Sequence, residues 1–397
     1  MAIRLDKILC VLLFFAALYF HENYWRSVWW DKWFFVMGAF TLYVCLKSVE
    51  KFHWSLAAFT LIIMTSSLWV FGWRQSYPGA DLATILAMGK VAAYTYAVLT
   101  LFLLAATHFG EEEYERLGDL FALLCMVNSA LIVWQTMCGK EINYRGGVFG
   151  NPSISGCFIA MAYPYLCFQK RQRLPYPNWA AYTRRLLYLV IPVIAVFCTK
   201  ASQPVGVMVI VVLAALWHYK VRMWRLVGRP IGNGVWITAL VLLFGFGLLW
   251  LSASPTDAPF NSTGRFEIWR EAMGWWWANG KFWVGQGTGI SQILLPSIQK
   301  EALDLNHLPS TMDWWLWFHS DWVQLLFENG AVGLLMGFLM YVYALKFSFR
   351  KSMWLFSAVA GCGATALFNF PVHFPFHALL MMATAAMVFD KKYLAKA

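Results

Sequence analysis

Residues 318–339 read FHSDWVQLLFENGAVGLLMGFL, and the way this stretch divides decides the architecture. As one apolar run it is a single membrane span with a polar cap, and His319 is incidental to it. Divided at Asn329-Gly330, a helix-stop signature, it becomes a short amphipathic helix at the membrane surface followed by a span that starts at Ala331. The second division keeps Asp321 and Glu328 out of hydrocarbon, where a carboxylate costs about 3 kcal/mol. It is the division adopted, and it leaves His319 at an outer surface of unknown side.

The rest of the chain settles the side. Of 397 residues, 60% are hydrophobic and 13% charged, against about 25% charged in ordinary soluble domains. Apolar runs long enough to cross about 30 Å of hydrocarbon recur throughout, without the alternating pattern of a membrane barrel. The fold class is therefore all-α: a polytopic membrane protein with about twelve spans. They are placed at 7–22, 32–46, 54–73, 81–106, 117–138, 148–168, 184–199, 204–220, 234–253, 331–347, 353–369 and 374–389. The first apolar run, 8–20, has no small-residue cleavage site after it and is read as the first span.

Twelve spans put both termini on one side. Twenty lysines and arginines fall on that side and ten on the other, with Lys90 inside a span, which accounts for all 31. The positive-inside rule then makes the termini cytoplasmic. The organisation is nine spans over 1–253, one long outer loop with short interfacial helices over 254–330, and three spans with a cytoplasmic tail over 331–397. His319 lies outside the cytoplasm. The net charge of +11 follows this topology, so it does not argue for nucleic acid. The eight cysteines form no C-x-x-C pair and read as packing residues.

Ten outer cations resist the charge bias, and four outer segments hold the ones of interest. In NYRGGVFGNPSISGCF (143–158), Arg145 precedes a glycine pair, and Gly150, Asn151 and Pro152 break the chain as a span begins. In CTKASQPVGV (198–207), Lys200 sits in a hairpin so short that it must lie at the headgroup level. In NSTGRFEIWREAMGWWWANGKFWVGQGTG (261–289), Ser262 or Thr263 caps a helix carrying Glu267, Trp269 and Arg270, and Asn279-Gly280 ends it. Arg265 in its first turn opposes the helix dipole, as suits a place prepared for an anion. Trp275, Trp276 and Trp277 read as an interfacial belt. The fourth segment is the opening one. Lys90, within span four, joins the functional residues because an intramembrane lysine is functional by default. His373 and His377 form a pair in the last outer turn, with no third ligand at metal spacing; they read as interfacial histidines.

Taken in order, GNP at a span start, GRFEIWREAM…NGKFWVGQGTG in a long outer loop, HSDWVQLLFENGAVGLL and NFPVHFP resemble the O-antigen ligase and polymerase superfamily. The resemblance covers about 140–380. It implies a GT-C-type, inverting, metal-independent glycosyltransferase without a cofactor, in the bacterial inner membrane with its active site periplasmic. The implied partners are an undecaprenyl-diphosphate-linked glycan donor, a lipid A-core acceptor and the surrounding lipid. Carried over, Arg265 binds the diphosphate and His319 activates the acceptor hydroxyl. Arg145, Lys200 and Lys90 join diphosphate binding on charge and position alone. Asp321 and Glu267 are supporting residues, Glu267 also as an alternative base. After span seven the family often reads Ser-Arg-Gly, where this chain has Ser202-Gln203-Pro204. Lys200 then substitutes for the missing arginine, or the diphosphate is held differently.

The expected reaction is transfer of O-antigen polysaccharide to lipid A-core in lipopolysaccharide biosynthesis. A polymerase joining lipid-linked repeat units and a protein O-oligosaccharyltransferase differ only in acceptor. A transporter of polyprenyl-linked sugars is a separate class, but it predicts inverted repeats, and the sequence shows none.

Overall fold

The structure, a computed structural model, describes residues 110–141, 144–169, 179–227, 265–287, 290–305, 318–369 and 371–389, together with Val11, Leu13 and Phe14. Among these residues there are helices and no strands. In chain order they are α1 (Glu111–Met137), α2 (Pro152–Pro164, continued by a π-turn), α3 (Trp179–Cys198), α4 (Ser202–Val227), α5 (Arg265–Ala278), α6 (Ser291–Leu305), α7 (Asp321–Lys351), α8 (Met353–Phe368) and α9 (Pro375–Phe389). Spans expected at 32–46, 54–73, 81–106 and 234–253, and nearly all of 7–22, lie outside the described residues, as does Lys90.

Helices α1 and α7 are long and apolar enough to cross a membrane. Shorter apolar stretches occupy Leu186–Cys198 in α3, Ser202–His218 in α4, Met353–Phe368 and Phe376–Phe389. Large apolar side chains stand exposed along α3 (Leu186, Leu187, Ile194) and α7 (Leu335, Phe338, Leu339). Apolar surface repeated on this scale marks a face that contacts lipid or another protein.

Element ends depart from the expected spans for local reasons. Helix α1 begins two turns before its apolar run, because Glu111, Glu112 and Glu113 sit where the helix dipole favours anions and Glu113 Oε2 accepts the Gly110 N–H at 2.9 Å. The span expected at 148–168 begins as a helix only at Pro152. Asn151 is its N-cap, accepting Ile154 N–H at 3.2 Å, and Pro152 fills the first position, where no N–H is needed.

Helix α2 is the core of the bundle. Every residue from Ile154 to Pro164 is buried, which marks a helix surrounded by others. Helices α1, α3, α4, α8 and α9 pack around it, and α7 packs against α8 and α9. At the bundle end bearing the α7–α8 junction, Lys351 donates to the Met387 carbonyl at 2.6 Å and Ser352 alone separates α7 from α8, capping the latter.

A second cluster packs α5 and α6 on the first part of α7 through Ile268, Ala272, Leu294, Leu295, Phe318 and Phe327. The division expected at Gly330 is present: its φ of 66° and ψ of −170° interrupt α7. That backbone region is essentially glycine's alone. Residues 281–287 lie directly against the break. Ala331 N–H bonds Phe282 O at 2.9 Å, Val332 N–H bonds Trp283 O at 3.2 Å, Gln286 N–H bonds Phe327 O at 3.0 Å and Gly287 N–H bonds Glu328 O at 2.8 Å. The loop thus takes over backbone groups that the interrupted helix leaves unpaired. Buried Glu328 reinforces the join, accepting from Ser291 Oγ at 2.5 Å and Gln324 Nε2 at 3.0 Å.

Candidate functional site

Among the described residues seven helix ends lie at one end of the bundle, and hydrogen bonds link them. Helix α1 ends beside the loop before α2, where Gln135 Oε1 accepts Gly147 N–H at 3.0 Å. Asn128 Oδ1 accepts Val148 N–H at 2.7 Å, while its amide donates to Ser155 O at 3.3 Å. Ser155 Oγ donates to Gly146 O. These bonds fold 146–151 into a tight cradle ahead of α2. A Cβ added at Gly146 would stand 2.0 Å from the Gly150 carbonyl carbon, so the glycine pair serves a close backbone approach.

Arg145 leads into this cradle, half-buried. Its Nε–H bonds Lys140 O at 2.9 Å and its Nη1 bonds Cys198 O at 3.5 Å. The guanidinium therefore bridges the C-terminal ends of α1 and α3, where exposed carbonyls attract a cation. Two of its five N–H donors are engaged there. Cys198 is two residues from Lys200, so the structure brings these two cations to one place. Lys200 is exposed and holds φ at 57° just past α3, a position usually given to glycine.

Gln203, standing where the resembled family often has arginine, is part of this junction. Ser153 Oγ donates to Gln203 Oε1 at 2.6 Å, joining the first turns of α2 and α4. A Cβ on Gly156 would meet Pro204 at 2.6 Å. The Ser-Gln-Pro sequence thus supplies a helix-to-helix contact.

The His319 segment reaches the same end from α7. Ser320 caps α7 through Val323 N–H at 3.4 Å, and its hydroxyl donates to Ala366 O at 3.4 Å. Asp321 N–H bonds Asn369 O at 3.2 Å, and Asp321 Oδ2 accepts Val372 N–H at 3.2 Å. Asn369 reaches on to Cys157 Sγ of α2 at 3.6 Å. On the other side, the indole N–H of Trp269 in α5 bonds Phe318 O at 2.7 Å. His319, half-buried between these anchors, has φ at 53°. A left-handed backbone costs a residue with a Cβ about 1–2 kcal/mol, and histidine is one of the side chains that adopt it more often than most. Lys200 and His319 are the two non-glycine residues with positive φ among the described residues.

Other expected residues fall as follows. Arg265 is the first residue of α5, and Glu267 is in the same turn; the expected caps Ser262 and Thr263 lie outside the described residues. Asn279-Gly280 ends α5. Asp321, expected to support His319, binds the backbone of the α8–α9 turn through its carboxylate. His377 corrects the interfacial reading. It is 1% exposed, enclosed by Phe149, Phe158 and Phe374, with Nε2 2.9 Å from Ile154 O. The short turn Pro371–His373 starts α9 inside the bundle, against α2, so the ring cannot reach the surface. The side chains of His373 and Arg265 are outside what the structure describes. Among the described residues no group of three or more His, Cys, Asp or Glu is placed to hold a metal. Lys281, opening the loop that covers Gly330, has its ammonium pKa lowered by partial burial.

Sequence reasoning passed over Asn128, named Trp269 only as a residue of its helix and used Glu328 only to divide 318–339. A tryptophan one turn after Arg265 was the available signal for Trp269; Asn128 and Glu328 act through long-range backbone contacts that leave no local pattern. No protein-family model and no curated protein matches this chain.

Proposed function

We propose that this protein is a membrane glycosyltransferase of GT-C type that moves a glycan from undecaprenyl diphosphate to lipid A-core oligosaccharide at the periplasmic face of a bacterial inner membrane. The reading includes twelve spans with cytoplasmic termini. The observation that supports it is that the His319 segment and the Arg145–Lys200 junction stand at the same end of the helical bundle, with His319 and Lys200 both in strained backbone. Non-glycine residues held in such conformations cluster at functional sites, where surrounding structure keeps them in place.

In the proposed reaction the acceptor hydroxyl oxygen attacks C1 of the donor sugar with inversion. The C1–O bond to the diphosphate breaks, and undecaprenyl diphosphate leaves with the electron pair. His319 takes the hydroxyl proton, a general-base role that contributes about 10²–10⁴-fold. Arg265, Arg145, Lys200 and Lys90 stabilise the charge growing on the leaving diphosphate, the term that is usually largest when donors are prepositioned. Glu267 and Asp321 support these groups. Because the leaving group is a diphosphate rather than a sugar alkoxide, the carboxylic acid that a glycosidase uses to protonate its leaving oxygen is not required.

Purified protein with both lipids tests the reading. Transfer to lipid A-core, lost in His319→Ala and reduced in Arg265→Ala, is the expected result. Full activity in both variants, or no transfer by the wild type, overturns it; elongation of the donor lipid instead of lipid A-core would identify a polymerase.

A further inference from the structure

A carbonyl oxygen belongs to the rigid plane of the peptide that follows it. The orientation of the Phe318–His319 plane about the His319 N–Cα bond is the φ angle of His319. The hydrogen bond from Trp269 Nε1 to Phe318 O, at 2.7 Å, therefore acts on the very torsion that is left-handed, at 53°. On the far side, Asp321 N–H is tied to Asn369 O at 3.2 Å and Ser320 to Ala366 O at 3.4 Å. These two sets of anchors belong to different bodies: Trp269 to α5 of the outer-loop cluster, Ala366 and Asn369 to the end of α8. His319 is the single residue between them.

Trp269 also stands four residues after Arg265 in α5. Positions i and i+4 are about one turn apart, so the bond to the Phe318 carbonyl anchors α5 one turn after the position where Arg265 begins it. Phe318 is fully buried against Ile268 and Phe327, which leaves the plane little freedom except the rotation that Trp269 governs.

We infer that Trp269 is a positioning residue, setting the His319 backbone and fixing the Arg265 turn of α5 relative to the histidine. This inference rests on the reaction proposed above. It is tested with full-length protein carrying Trp269→Phe, which keeps an aromatic ring in the cluster and removes the N–H. Gly274→Ala, on the same helix with open space around it, serves as the control. Two quantities are read: transfer kinetics with both lipids, and the rate at which diethyl pyrocarbonate acylates His319, followed by peptide mass against buried His377.

The expected result for Trp269→Phe is a kcat about tenfold lower with donor KM within about twofold, the size of one lost hydrogen bond expressed as rate. The His319 acylation rate should change at least threefold while His377 stays as in wild type. An unchanged His319 rate overturns the inference. So does a rise at both histidines, which would mean general loosening. If wild type transfers nothing yet the His319 rate still shifts, the proposed reaction fails and the structural role of Trp269 stands.

Discussion

Gly330→Ala is a substitution whose effect follows directly from the backbone around it. Its backbone, at φ 66° and ψ −170°, lies where a residue with a Cβ loses on the order of 1–3 kcal/mol. The added Cβ would also stand 2.4 Å from Trp283 O and 2.5 Å from Gly285 N. Both are backbone atoms, so no side-chain rotation relieves the clash. The 281–287 loop must separate from the break, weakening at least the Ala331–Phe282 and Val332–Trp283 bonds, each with a net value of about 0.5–1.5 kcal/mol. Strain and lost bonds together give roughly 3 kcal/mol or more. Gly274→Ala provides the sign control: Gly274 is exposed in α5 with nothing near its missing Cβ, so alanine there should stabilise by about 0.5–1 kcal/mol. Denaturant unfolding in detergent measures both, and limited proteolysis within 281–287 reports the loop. A Gly330→Ala protein within about 1 kcal/mol of wild type, the scale of an ordinary substitution, and with the loop still protected, would refute the interlocked reading of this junction.

Other predictions concern the same end of the molecule. His319→Gly should remove the imidazole proposed as the base and the left-handed penalty together, abolishing transfer while stability holds or rises by about 1 kcal/mol; His319→Ala should lose transfer without that gain, and denaturant unfolding separates the two. Glu328→Ala leaves the Ser291 hydroxyl and Gln324 amide without their acceptor, at about 1–3 kcal/mol for a buried polar group, whereas Glu328→Gln keeps an oxygen and should cost less; equal losses in unfolding experiments would exclude the proposed network. Asn128→Ala strands the buried Val148 N–H, again at about 1–3 kcal/mol, and should expose 144–150 to protease sooner than wild type. Arg145→Lys cannot reproduce a planar fork reaching two carbonyls, so it should lower both stability and the transfer rate, the latter measured with purified lipids.

The division of 318–339 was legible because its cause is local. Asn329-Gly330 is a stop at any location, and two carboxylates before it exclude hydrocarbon. The same held for Asn151-Pro152 opening α2 and Asn279-Gly280 closing α5. Arg145 and Lys200 were singled out by charge against topology, and both are found at one end of the bundle. What remained hidden depended on partners distant in sequence. His377 was read as interfacial because its neighbours in the chain are turn residues; the ring is buried because α9 starts against α2, more than two hundred positions away. Asp321 was read toward His319, two residues off, and its carboxylate holds the backbone of the α8–α9 turn, a contact no local pattern announces.

The sequence by itself determined a helical, apolar chain and the breaks in its helices, since these follow from solvation, dipoles and backbone sterics acting over a few residues. Only the tertiary structure decided that Trp269 and Asn369 hold His319 from opposite sides, that Gly330 is covered by Gly285, and that Arg145 bridges two helix ends. Those arrangements satisfy backbone groups stranded at helix ends and breaks, and which distant segment will satisfy them is set by packing rather than by any local preference.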